Sequence, residues 1–170
     1  MGQDFRECWA APWPVISGAY ETALAGKTSY LEKMRMFLER YGFLEETWFT
    51  FSFSPITDES GKVGGLFHPV TELTTQMLSE RRNRTLGELA LRAGKAKTTP
   101  DAFAFATQVL AESDLDLPFV MFYLIEPDGR IARRATQAGL GGADRVSPPQ
   151  VDLHDAGPGP WGIAEAVRSG

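Results

Sequence analysis

The chain has 170 residues, of which 43% are hydrophobic and 23% charged, and its formal net charge is -5. That balance belongs to ordinary globular proteins, not to disordered or fibrous ones, and the length accommodates one large domain or two small ones. The acidic sign argues against a general nucleic-acid surface, while the single cysteine, Cys8, excludes an intramolecular disulfide and fits a reducing compartment.

Cytoplasmic residence is therefore expected. The start, Met1 to Phe5, holds an acid and no apolar run, so no secretory leader is expected. Nowhere does the sequence hold the roughly 18 consecutive apolar residues a span needs, so no membrane contact is expected. Met1-Gly2 is not read as a myristoylation signal, because Arg6 stands where Ser or Thr is required.

Residues 5 to 14 carry Phe5, Trp9 and Trp13 with Pro12 and Pro14, and read as a packed, turn-rich entry in which Cys8 is a buried apolar filler. Val15, Ile16, Ala19, Tyr20, Ala23 and Leu24 then recur at helical spacing, and Gly26 marks the stop. Tyr30, Met34, Met36 and Leu38 share one parity, as in a half-buried strand, and Arg40-Tyr41-Gly42 breaks it. In the next strand Phe49, Phe51 and Phe53 alternate with Thr50, Ser52 and Ser54, giving one apolar face. A polar turn over residues 57 to 62 leads to a strand holding Val63, Leu66, Phe67 and Val70. The apolar spacing then lengthens to three or four, predicting a helix over residues 71 to 97.

This order, with Ser54-Pro55-Ile56, the turn Asp58 to Gly65 and the junction Val70-Thr71-Glu72, resembles the C-terminal half of a PAS domain over about residues 4 to 80. The nearest resemblance is to the PAS-then-GAF sensor regions of bacterial histidine kinases. A complete PAS domain has further strands and short helices ahead of this region, so the resemblance implies either a truncated domain, with an open edge and a route to dimerisation, or one whose missing strands are replaced by another copy or another part of the chain.

Downstream, Thr98 and Pro100 are placed to cap and start a new helix, with Phe103, Ala106, Val109 and Leu110 as its core stripe. Phe119 to Ile125 is an almost continuous apolar run, predicted to be a central strand covered on both faces. Pro127-Asp128-Gly129 turns the chain into a second strand over residues 130 to 138. A Pro/Gly loop from Ser147 to Pro160 and a helix from Trp161 to Gly170 follow. Residues 82 to 170 thereby resemble the opening of a GAF domain, carried by Leu117-Pro118-Phe119 to Gly129 and Ala138-Gly139-Leu140.

Catalytic motifs are sparse. His68 and His154 lack metal-ligand neighbours at the usual spacing, so no metal site is expected. Gly26-Lys27-Thr28 is not a phosphate loop, because Glu21 stands where its first glycine is needed. The paired Glu45 and Glu46 read as a solvated strand entrance, and Arg81, Arg82 and Arg84 as a solvated helix face. Neither a phospho-acceptor histidine nor an ATP-binding box is present, so kinase activity is not expected of this chain.

The expected fold is α+β: an antiparallel PAS-like sheet over residues 1 to 72, a connecting signal helix over 73 to 97, and an incomplete GAF-like α/β sandwich over 98 to 170. The expected function is non-catalytic sensing and signal transduction, with a homodimer and a downstream output domain such as a histidine kinase as partners. No cofactor is expected. An unidentified small-molecule ligand would sit among Met36, Trp48, Phe49, Phe51, Phe53, Leu66 and Phe67. Two other classes stay open. One is a small hydrolytic α/β enzyme using Glu45, Glu46, His154 and Asp155; the other is an adaptor that pairs its Phe-rich sheet edge with a partner strand.

Overall fold

The computed structural model describes residues 2–141, 145–154 and 160–169. The chain is mixed α and β with two antiparallel sheets, and it divides into two units, Met1–Glu80 and Arg81–Gly170. The segment expected to connect them forms one helix, α3 (Thr74–Ala93), within which the division falls.

The first unit opens with α1 (Phe5–Cys8), where turns were expected. Asp4 accepts the backbone N–H groups of Arg6 and Glu7 at 2.8 and 3.3 Å, which is why so short a helix holds. Cys8 is exposed, not a buried filler, because Phe5 and Trp9 are the residues of this segment that pack on the core. In α2 (Trp13–Leu24) Pro14 occupies the first turn, where a missing N–H costs nothing, and Ile16 and Ala23 face inward.

The sheet consists of β1 (Ser29–Glu39), β2 (Leu44–Thr57), β3 (Val63–Phe67) and β4 (Val70–Glu72). The long β2 is central, with β1 along one edge and both β3 and β4 along the other. Ser54 faces Phe67 and Phe51 faces Val70, so β3 and β4 keep one register across His68-Pro69. The β2–β3 turn is held by Asp58, which accepts from the backbone N–H of Ser60 and Lys62 at 2.8 and 3.0 Å.

β1 carries a bulge. Leu31 faces Phe51 and Met34 faces Phe49, so Glu32 and Lys33 together oppose Thr50, and Lys33 adopts φ 50°. The extra residue inverts the parity: Met34 and Leu38 lie half-buried and Met36 fully buried, whereas Tyr30, ahead of the bulge, points away and is 65% exposed.

One face of this sheet is the core. Phe49, Phe51 and Phe53 with Met36 meet Ile16 and Ala23, and Phe5, Trp13 and Tyr20 close over them. Phe53 is only 1% exposed, and burying such a ring contributes roughly 1.5–3 kcal/mol. Thr47, buried on the same face, satisfies its hydroxyl by donating to the Met36 carbonyl at 2.9 Å.

The second unit takes the C-terminal half of α3, α4 (Thr99–Ala111), the antiparallel sheet β5 (Val120–Ile125), β6 (Ile131–Ala138), β7 (Gln150–Asp152) and the short helix α5 (Ile163–Ser169). A capping box starts α4: Thr98 Oγ1 accepts from the Asp101 N–H at 3.3 Å and Asp101 accepts from the Thr98 N–H at 3.2 Å. The helix lies on β5 and β6, with Phe103 against Phe122 at 5.1 Å between ring centres.

Two expectations change here. Among the described residues β5 pairs only with β6, so it is an edge strand and β6 is the central one. An unbroken apolar run does not distinguish the two positions, because α4 needs apolar residues beneath it in either. Part of the expected 147–160 loop is β7, whose Val151 and Asp152 face Ala132 and Ile131.

Candidate functional site

The chemistry available on the first unit gathers on the core face of β2 and β3 and at the point where β4 becomes α3. On the core face the imidazole of His68 stacks on Phe53 at 4.1 Å with an interplanar angle of 6°, and meets Phe51 and Phe5 edge to face at 5.5 and 5.8 Å. Its Nδ1 lies 2.8 Å from the Ser52 carbonyl oxygen, which can only accept, so Nδ1 carries the proton. In the neutral ring Nε2 is then a bare acceptor, with no hydrogen bond from another of the described residues.

Two spaces adjoin this ring. The smaller, between Trp9, Ile16, Met36, Phe49, Phe51 and Val70, measures about 10 Å³, the room of a single water. The larger is a cleft of about 320 Å³ between α1, α2 and β3, bounded by Phe5, Tyr20, Leu24, Phe53, Leu66 and the backbone of Gly64-Gly65.

The expected ligand residues therefore separate into three groups. Met36, Phe49 and Phe51 pack in the core around the water-sized space, and Phe53 and Leu66 border the cleft. Trp48 and Phe67 are corrected: alternation puts them on the opposite face, where Phe67 is 60% exposed, and neither adjoins a space beside His68. The sequence reading left Tyr20 and His68 out of this group; a histidine directly before a proline at a strand end was the available signal.

The second constellation is the strand-to-helix junction. Arg40 grips Glu72 with two hydrogen bonds of 3.0 and 3.2 Å and also donates to Glu45 at 3.2 Å. Glu72 accepts from Thr74 Oγ1 at 2.8 Å, and Thr74 Oγ1 accepts the Trp48 N–H at 3.0 Å. The Leu73 N–H donates to the Trp48 carbonyl at 2.7 Å. The Arg40 and Thr74 hydrogen bonds hold the Glu72 carboxyl below its ordinary 4.5, and the same Glu72 contact raises the Arg40 guanidinium. A central-strand residue, Trp48, is thus tied through both backbone groups to the first residues of the α3 segment.

The remaining charged candidates are committed elsewhere. Glu46 accepts from the Trp48 indole at 3.2 Å, and Glu45 has Arg40, although its Oε1 is buried without a partner among the described residues. Asp155 lies outside the described residues, and His154 is exposed beside Asp152, whose carboxylate accepts the His154 N–H at 3.0 Å. Of the expected solvated arginine face, Arg82 and Arg84 are exposed, while Arg81 is half-buried: within the second unit it holds Asp116 at 2.7 and 3.0 Å, and Arg82 adds a third bond at 3.3 Å. Asp116 is held below the ordinary carboxylate value by Arg81 first.

Among the described residues no group of three or more His, Cys, Asp or Glu side chains could hold a metal ion, and no described helix is long and apolar enough to cross a membrane. Comparison with known protein families finds no match to this chain, and comparison with curated proteins finds none either.

Proposed function

We propose that this chain is a non-catalytic sensory module that relays a shift of the first unit's sheet into α3. The observation that carries the reading is the junction itself. Trp48 at the centre of the sheet holds Leu73 and Thr74 through its backbone, and Arg40 clamps Glu72 from the β1–β2 turn. A rearrangement around β2 must therefore break or carry along the start of the helix, which is the physical requirement for coupling. The resemblance of residues 4 to 80 to the C-terminal half of a PAS domain, and of 82 to 170 to the opening of a GAF domain, supports the same reading. On it, the parent is a cytoplasmic sensor of the histidine-kinase type, dimeric, with an output domain beyond this chain.

The test is amide hydrogen exchange over Leu73 to Ser79 in the wild type and in Arg40→Ala and Thr74→Val. Relay requires exchange there to rise by about tenfold or more in both variants while the sheet amides of Phe49 to Phe53 stay protected. Unchanged exchange in both overturns it. A second reading, a protein-binding adaptor, is favoured by the open sheet face with its exposed Tyr30 and Phe67. It requires a partner to protect those two rings and to leave Leu73 to Ser79 unaltered.

A further inference from the structure

We infer that the cleft between α1, α2 and β3 is a binding site for a flat, neutral heteroaromatic molecule that donates one N–H or O–H. The assignment rests on the relay reading for its purpose, since it names the input of that relay, but not for its geometry.

Size is the first argument. At about 320 Å³ the cleft lies at the lower end of the roughly 300–1,000 Å³ used by small-molecule sites, enough for one or two fused rings. The walls are the second. Phe5 stacks on Tyr20 at 5.2 Å and 8°, Phe53 stacks on His68 at 4.1 Å and 6°, and the two stacks stand at 82° and 89° to each other through Phe5–Phe53 and Tyr20–Phe53. Two orthogonal ring stacks offer faces on one side and edges on the other, the complement of a planar ring. The backbone of Gly64 and Gly65 completes the β3 side of the cleft.

Polar complementarity then fixes the chemistry. Among the described residues no Asp, Glu, Lys or Arg lines the cleft, so a charged ligand would lose its water without gaining a counter-charge. Two polar groups of its lining residues remain unused: His68 Nε2, a bare acceptor because Nδ1 is spent on Ser52, and the Tyr20 hydroxyl, which has no hydrogen bond within the described residues. A ligand N–H or O–H meets the imidazole acceptor, and the tyrosine hydroxyl can serve an acceptor on the same molecule.

Indole is a suitable probe, and 1-methylindole, which differs by the donor, is its control. Titration of the whole chain followed by amide NMR should give saturable indole shifts at Tyr20, Gly64 and Gly65, with 1-methylindole at least about tenfold weaker. Leu24→Trp, at a position 47% exposed, should obstruct the cleft and remove those shifts without disturbing the rest of the spectrum, and Tyr20→Phe should retain indole binding. Equal affinity for the two probes, shifts that survive Leu24→Trp, or no saturable shift overturns the site. Saturable indole binding that leaves exchange at Leu73 and Thr74 unaltered keeps the site and sinks the relay, so the two failures are distinguishable.

Discussion

His68 Nδ1 and the Ser52 carbonyl meet at 2.8 Å, and their bond stands where the sheet lacks a donor. In the register shared by β3 and β4, Ser52 lies opposite Pro69, whose carbonyl accepts the Ser52 N–H at 3.3 Å but which has no N–H to return. The preceding side chain returns it instead. That contact lets one register run through a proline that would otherwise end the strand, and it fixes the imidazole against Phe53.

The substitution can be reversed by a compensating one. His68→Phe keeps an aromatic ring but leaves the Ser52 carbonyl unsatisfied, and should cost about 1–3 kcal/mol in urea unfolding. Pro69→Val restores a backbone donor at the facing position, so the double variant should recover most of that loss. Additive losses in the cycle would show that the Ser52 carbonyl finds another partner.

Phe53→Ala should destabilise the chain by about 3–5 kcal/mol, the cost of a large ring removed from a packed core. Phe67→Ala, on the opposite face and 60% exposed, should change stability by less than about 0.5 kcal/mol. Unfolding midpoints of the two variants side by side check the difference, and equal effects would refute the assignment of faces.

Acid should loosen the strand-to-helix junction. Glu72 is lowered from its ordinary 4.5, by Arg40 foremost and then Thr74, so its contribution is complete above that value and is lost as pH falls through the lower folded value. Exchange at Leu73 and Thr74, corrected for intrinsic rates, should rise between about pH 5 and pH 3 in the wild type. Glu72→Gln should show the faster exchange at both ends of that range. A wild-type profile that stays flat refutes the role of the carboxylate.

Gly139→Ala should be among the most damaging changes in the second unit. A Cβ there would come to 2.8 Å from Phe119 Cα and still closer to the Pro118 carbonyl oxygen, and the residue has φ 81°. The left-handed backbone alone costs about 1–2 kcal/mol, and the backbone contact adds to it. Gly129→Ala, with φ 71° and open space around it, isolates the first cost, so Gly139→Ala should be clearly the worse by thermal unfolding.

The Phe49, Phe51, Phe53 alternation was legible because the extra residue of the bulge lies on β1, so β2 itself keeps its strict two-residue period and carries its three phenylalanines on one parity. The capping box of α4 was legible for a similar reason, since Thr98 and Pro100 act locally. What the sequence concealed depends on pairing with distant residues. Lys33 has no glycine-like signature, yet it takes a positive φ because Thr50 Oγ1 accepts its N–H at 3.0 Å across the bulge. Nothing near Gln150 announces β7, whose existence rests on Ile131 to Arg133 beside it. In the candidate site, Phe53 and Leu66 could be named from composition, but Tyr20 joins them only through the packing of α2 on the sheet, and His68 through the shared register of β3 and β4.

The bulge of β1 also bears on how this chain behaves in a crowd. Among the described residues the outer edge of β1 is unpaired, and an edge 11 residues long invites intermolecular strand addition. Glu32 and Lys33 interrupt that template: an approaching strand can match Ser29 to Leu31 or Met34 to Glu39, but not both in a single register. The irregularity that sets Tyr30 apart from Met34, Met36 and Leu38 therefore also works as a guard against fibrous self-association, and straightening it by deleting Lys33 would expose one continuous docking edge.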